Sequence, residues 1–338
     1  MEVITMYCKI TRRKVFKTIA ASASVLAGFG GTKKAGAWDF GPDENLVRDL
    51  TPGPTPVRLG SYLIRQENEG LTEMVKRIRE GGYTGVKADR GNWVSIKDSE
   101  LRELKTALKK YDVAVFEIGR YPSMVHPVES IRQKNLKILA SQVELADKLD
   151  CPQTGTISGG RDPKYVINVH PDNWTKETWK ILVDSIKQVL RDTAGMKAAI
   201  GMEAVMTSTV NCPKSHRKLI DDVGDPRCAV NLDPFNMVCF SNYYHTTELI
   251  NECFDLLGES ILGCHAKDNY ILPDKQTVNV VEVCSGRGIF DYENYLVRLS
   301  RMKWARTLLP EHIPADQYPE AYDFIRKTAA KVGVKIHG

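Results

Sequence analysis

The sequence predicts an α/β fold: a closed (β/α)8 barrel forming a single domain over residues 57–338, preceded by an export signal at 1–37 and an extended lead-in at 38–56. Three observations predict the barrel. Eight short apolar runs alternate with eight amphipathic segments, and no two runs are joined as a strand hairpin, which implies parallel strands. The eight units fill roughly 280 residues, the size of such a barrel. The rival fold, a doubly wound open sheet, usually carries a glycine fingerprint after its first strand, and Leu63-Ile64-Arg65-Gln66-Glu67 stands there instead.

The elements follow in order. Val57 to Leu63 reads as the first strand. Leu71 to Glu80 follows as a helix, with Leu71, Met74, Val75 and Ile78 on one face and Gly81-Gly82 to end it. Tyr83 to Ala88 is the second strand and Asp98 to Tyr111 the second helix. Val113 to Ile118 and the long amphipathic stretch Val128 to Leu149 make the third unit. Cys151 to Ile157 is the fourth strand; a Gly-, Pro- and Asp-rich loop at 158–173 leads to the helix Lys176 to Thr193. Ala198 to Glu203 with Pro213 to Val223, and Arg227 to Asp233 with Thr246 to Leu257, are the fifth and sixth units. Ile261 to His265, a long polar loop at 268–290, and the helix Asp291 to Met302 form the seventh. Thr307 to Glu311 and Tyr318 to Val332 close the set.

Hydrophobic residues make up 42% and charged residues 26%, which suits a globular protein able to build its own core. The net charge of +5 is local: residues 1–37 hold seven Lys/Arg and one acid, leaving 40 basic and 41 acidic residues beyond. No basic patch speaks for a nucleic-acid partner. The excess has another reading. Arg12-Arg13-Lys14-Val15-Phe16-Lys17 precedes a small-residue apolar stretch from Thr18 to Gly31, then Ala35-Gly36-Ala37. Charged region, apolar region and cleavage pattern imply export, and the paired arginines imply the twin-arginine route to a periplasmic location. The stretch is too short and glycine-rich for a stable membrane span. Cys8 leaves with the signal. The other seven cysteines form no CxxC pair, and they read as buried thiols rather than a disulfide framework.

Strand ends carry the chemistry, because in such a barrel they converge on one mouth. The fifth, sixth, seventh and eighth strands end in Glu203, Asp233, His265 and Glu311. Three carboxylates brought together repel one another, and a divalent cation offsets that repulsion. Three carboxylates and an imidazole suit one ion, with Mn2+ first and Mg2+, Co2+ or Zn2+ as alternatives.

Gly201-Met202-Glu203, Asn231-Leu232-Asp233-Pro234, Cys264-His265-Ala266-Lys267-Asp268 and Leu309-Pro310-Glu311-His312 together resemble the sugar phosphate isomerase/epimerase family of xylose isomerase-like TIM barrels. Gly286-Arg287-Gly288-Ile289-Phe290-Asp291 resembles the family's glycine-rich approach to its seventh helix. The resemblance spans roughly residues 57 to 335. It implies a metal held by those four residues, a small-molecule carbohydrate substrate and a homo-oligomer. It further implies that Glu203 and Glu311 act as the acid/base pair, one removing a proton beside a carbonyl and the other returning one. Two positions depart from the ketose 3-epimerases of the family: Asn236 stands where they carry histidine, and Ile271 where they carry arginine.

An isomerase or epimerase working through an enediolate is the first expectation. A lyase eliminating from 3-keto-glycosides, or an inosose-like dehydratase, is the second; export favours it, because sugar phosphates are scarce outside the cytoplasm. A sugar-binding protein on a disabled barrel is the non-enzymatic alternative, and the intact ligand set speaks against it. Endonuclease IV-like action would need further histidines and a basic face. Around the cluster, His170 is a candidate acid or substrate contact in the loop after the fourth strand. Lys267 is a candidate for holding a substrate oxygen, Glu117 a hydroxyl, and Trp93 a sugar face. Arg161 reads as a loop arginine.

Overall fold

The computed structural model describes residues 48–338. The segment expected to be an export signal, with Arg12 and Arg13, and the start of the lead-in lie outside the described residues. Eight parallel strands close into a barrel: β1 (Val57–Tyr62), β2 (Gly85–Asp89), β3 (Ala114–Gly119), β4 (Gln153–Ile157), β5 (Ala199–Glu203), β6 (Cys228–Leu232), β7 (Ile261–Ala266) and, after a hairpin, β10 (Thr307–Pro310). Neighbours pair in chain order, and β10 returns to β1 through Arg58↔Thr307 and Leu59↔Leu308. The expected closed barrel is therefore present. Around it run α1 (Leu71–Glu80), α2 (Asp98–Lys110), α3 (Glu129–Lys148), α4 (Lys176–Asp192), α5 (Pro213–Val223), α6 (Thr246–Leu257), α7 (Tyr292–Ser300) and α8 (Tyr318–Lys331). No helix among the described residues is long and apolar enough to cross a membrane.

The helices lie on the barrel because their apolar residues repeat at helical spacing. In α1 that face is Leu71, Met74, Val75 and Ile78, all buried. Burying each such side chain contributes about 1.5–3 kcal/mol. α5 starts with Pro213 at its first turn and stops at Gly224, which takes a left-handed φ of 68° that other residues adopt at a cost. The described end of the lead-in is tied to the far end of α7: Gly53 N donates to Ser300 Oγ at 2.8 Å and Thr55 Oγ1 to the Met302 carbonyl at 2.6 Å.

Inside the barrel the filling is partly polar. Gln153 of β4 reaches across to Asn231 of β6, with Nε2 3.1 Å from Oδ1. Gly201 leaves it room, since a Cβ there would lie 2.0 Å from Gln153 Oε1.

One expectation fails. The segment 268–290 is not all loop, and the chain does contain a hairpin. β8 (Asp268–Ile271) and β9 (Val280–Val283) pair antiparallel from Asp268↔Val283 to Ile271↔Val280. Each strand has only four residues, and the polar stretch between them dilutes the alternation by which a strand shows in sequence. A helical turn at Arg90–Trp93 and the short β11 (Ile336–His337), which pairs with the start of β1, are also additions.

Candidate metal centre

β7 carries His265 near its end, and its two neighbours bring a carboxylate to either side. Leu232 of β6 pairs with Cys264, and Pro310 of β10 with Ala266, so Asp233 and Glu311, each one residue past its strand, flank the end of β7. Glu203 ends β5. The four residues offer ligand atoms that all lie within 4.8 Å of one another, and all four are buried. His265 Nδ1 is 3.1 Å from Glu311 Oε1, 3.4 Å from Glu203 Oε2 and 3.6 Å from Asp233 Oδ2. Asp233 is aimed locally: its Oδ1 accepts from Asn236 N at 3.3 Å and caps the short turn that follows, which leaves Oδ2 for the cluster.

The cluster fits a metal ion by its unmet bonds. Glu203 Oε2, Asp233 Oδ2 and His265 Nδ1 are buried and make no hydrogen bond. Leaving such an atom unpaired costs about 1–3 kcal/mol, more if it is charged. Three of them facing one point, on oxygen and imidazole donors, suit a divalent cation. Lys267 Nζ comes within 2.8 Å of Asp233 Oδ2, but without the alignment of a hydrogen bond.

A second ring of side chains aims the first. His265 Nε2 lies 2.9 Å from Glu117 Oε2, so Nε2–H donates outward and the Nδ1 lone pair is left for the cluster. Gly155 makes space for this carboxylate, because a Cβ there would lie 2.1 Å from Glu117 Oε1. That oxygen accepts from Tyr121 Oη at 2.6 Å and pairs with Lys87 Nζ at 3.0 Å. Lys87 also reaches Glu311 Oε2 at 3.1 Å, joining the outer carboxylate to a ligand on the other side of the histidine. Burial would raise Glu117; Lys87 and His265 outweigh it and hold the carboxyl at about 2.

The two glutamates of the cluster are held differently. Glu311 faces two lysines, Lys87 on Oε2 and Lys267 3.2 Å from Oε1. Burial alone would raise its carboxyl, but His265 and Lys87 outweigh it and push it well below the usual range. Glu203 has a neutral amide instead, Asn236 Nδ2, 2.5 Å from Oε1. Burial raises its carboxyl, only partly offset by His265.

Lys267 is wholly buried, and besides the two carboxylates its ammonium meets Asn236 Oδ1, Glu282 Oε1 and His312 Nδ1, each at 3.1 Å. Glu282 comes from β9 and also takes His312 Nδ1 at 3.1 Å. His312 has a φ of 58°, a left-handed conformation uncommon outside glycine, immediately after Glu311.

The structure brings Glu203, Asp233, His265 and Glu311 together, with Lys267 and Glu117 beside them. Both make protein contacts there: Lys267 in ion pairs and Glu117 on the imidazole of His265. Trp93 is core, 6% exposed, with its Nε1 donating to the Leu63 carbonyl. His170 caps its own turn, Nδ1 accepting from Asp172 N at 3.3 Å, and has no contact with the cluster. Arg161 donates to the Val125 carbonyl and ties down the loop. Sequence reasoning missed Lys87, Tyr121, Glu282 and His312. Lys87 had a signal, a lone charge inside an apolar strand; Glu282 had none, because its hairpin went unseen.

The family model for the xylose isomerase-like TIM barrel matches residues 75–328. The chain belongs to this family. Among solved structures, a barrel of this kind from Mycobacterium smegmatis in complex with magnesium is similar at 13% identity and a TM-score of 0.59, covering 82% of this chain and 97% of that one. The 3-keto-D-glucoside 4-epimerase of E. coli is similar at 16% identity and 0.55, covering 82% and 99%. The probable 3-DHS dehydratase of Bacillus anthracis is similar at 14% and 0.59, covering 81% and 98%. Likeness at this identity extends to the fold. No curated protein matches the chain in sequence.

Proposed function

We propose that the protein is a metal-dependent enzyme of the sugar isomerase/epimerase class that removes a proton from the carbon beside a carbonyl. The observation that carries this reading is the set of unpartnered buried atoms on Glu203, Asp233 and His265 facing the same point as Glu311. A divalent ion held by these four residues would polarise a carbonyl and its neighbouring hydroxyl and so acidify the C–H between them. Glu203 is the proton carrier: burial raises its carboxyl above the usual range, no lysine clamps it, and the Asn236 amide fixes one of its oxygens. Glu117 holds the His265 tautomer. Lys87 and Lys267 keep Glu311 an anion. Delivery by the twin-arginine route belongs to the same proposal.

A second reading, elimination from a keto-sugar, draws support from that inequality. Inverting a centre asks for two matched carboxylates on opposite faces, and here one is clamped by two ammonium groups. A single carrier suits removal of a proton followed by loss of a leaving group, and neighbours of this fold include both an epimerase and a dehydratase. Turnover of keto-sugars and their glycosides in D2O separates the two. Deuterium in an intact sugar supports the isomerase, and release of aglycone or water supports the lyase. A protein that holds no divalent metal after reconstitution and labels no sugar removes both.

A further inference from the structure

The loops that follow β4 and β5 form a second feature on the mouth side of the barrel. Trp174 ends the turn Pro171–Trp174, and the residue is 49% exposed. Its Nε1 is already used, donating to the Ser208 carbonyl at 3.0 Å. Trp179, one turn into α4, likewise donates its Nε1 to Asp222 Oδ2 at 2.7 Å, and Lys218 Nζ stands 4.6 Å from its ring centroid. Between them lies a cleft of about 480 Å3, whose lining also includes Lys176, Thr209 and Asn211. Thr209 is 4% exposed, and its Oγ1 makes no hydrogen bond.

Each part has a chemical reading. Indoles whose N–H groups are satisfied within the protein have only their faces to offer, and a face packs against the C–H side of a flat apolar or amphipathic ring. An unpartnered buried hydroxyl wants a hydrogen-bonding group. Lys176 and Lys218, the latter also paired with Asp222, put ammonium groups at the edge that suit oxygens. An aromatic wall with a few convergent polar groups is how pockets recognise small polar ligands. A pyranose ring, apolar on its C–H face and hydroxylated at its edge, matches all three.

The cleft is tied to the cluster by a short, braced loop. Five residues separate Thr209 from Glu203. Val205 N donates to the Val210 carbonyl at 3.0 Å, and Val210 N to Ser158 Oγ at 3.2 Å, so the loop is closed on itself and fixed to the end of β4.

We propose that this cleft is a saccharide subsite, which holds a second pyranose ring of a substrate larger than a monosaccharide. The site stands on its own residues; its link to turnover rests on the function proposed above.

The test uses the full chain with labelled tryptophan, whose five residues give separate indole N–H resonances. The probes are glucose, cellotetraose and xylotetraose. The tetrasaccharides shift the Trp174 and Trp179 signals and leave Trp93 and Trp304 in place. Trp174→Ala abolishes the shift at Trp179, and Trp174→Phe retains part of it and reports that the loop is intact. Unshifted signals up to the solubility limit overturn the subsite, as does a Trp179 shift that survives in Trp174→Ala. A protein that turns over keto-sugars with unshifted signals loses the subsite and keeps the reaction; shifted signals in a protein inert toward keto-sugars support the subsite and remove the reaction.

Discussion

The two halves of the barrel mouth do different work. β5, β6, β7 and β10 deliver the four groups that meet at one point. β2 and β3 deliver Lys87 and Glu117, which contribute no ligand atom to that point and aim those that do. The first half faces the cluster with unmet bonds; in the second, Lys87 and Glu117 are paired with each other and with Glu311 and His265. The difference teaches where fragility lies. Losing a ligand removes the site. Losing an aiming residue leaves the ligands in place with a buried charge unanswered, and breaking a buried pair costs about 3–5 kcal/mol.

The comparison breaks first at Glu203. Glu203→Gln keeps the side-chain volume but takes away both a charged ligand of the cluster and the proton carrier, and kcat falls by at least about 10²–10⁴-fold. Steady-state kinetics on a keto-sugar read this directly; a kcat within a few fold of wild type would move the proton to another group. Lys87→Met is the matching experiment in the other half. It lowers divalent-metal affinity by about 10–100-fold, as loss of a group behind a ligand does. It also lowers the thermal midpoint, because Glu117 and Glu311 lose their shared counter-charge. Lys87→Met with Glu117→Gln regains part of the stability and none of the affinity. Titration calorimetry with Mn2+ and thermal unfolding report the two effects separately; unchanged affinity in the single variant would make Lys87 structural only.

The halves also differ in how legible they are. Glu203, Asp233, His265 and Glu311 show in sequence because each is a chemistry-bearing type at a strand end, and strand ends in a closed barrel share one mouth. Repetition at matching register made a weak signal specific. Lys87 and Glu117 lie inside their strands, and their meaning depends on partners far along the chain: Glu117 and His265 are 148 residues apart, Lys87 and Glu311 are 224. No local pattern records such a pair. The hairpin hid for a related reason, since strands of four residues give too few alternations to outweigh the polar turn between them. His170 caps its own turn, and a histidine that does so looks in sequence like one that meets a substrate.

Two buried histidines carry the same contrast into stability. His265 is surrounded by carboxylates, which outweigh burial and the nearby Lys87 and push it well above the usual range, so a divalent ion at the cluster would take the place of the Nδ1 proton. His216, on α5, is 1% exposed, and neither ring nitrogen makes a hydrogen bond. Burial pushes it down to about 4. Its folded value lies below its unfolded value of about 6.5, so between the two the unfolded chain binds the extra proton. Stability from this group is therefore complete above pH 6.5 and is lost as the pH falls toward 4, by about 3 kcal/mol. His216→Leu removes the loss. Denaturant unfolding of both proteins at a series of pH values shows the variant falling less steeply through that window, while above it the two curves keep a constant separation. Parallel curves throughout would mean that His216 is already charged, or already solvated, in the folded protein.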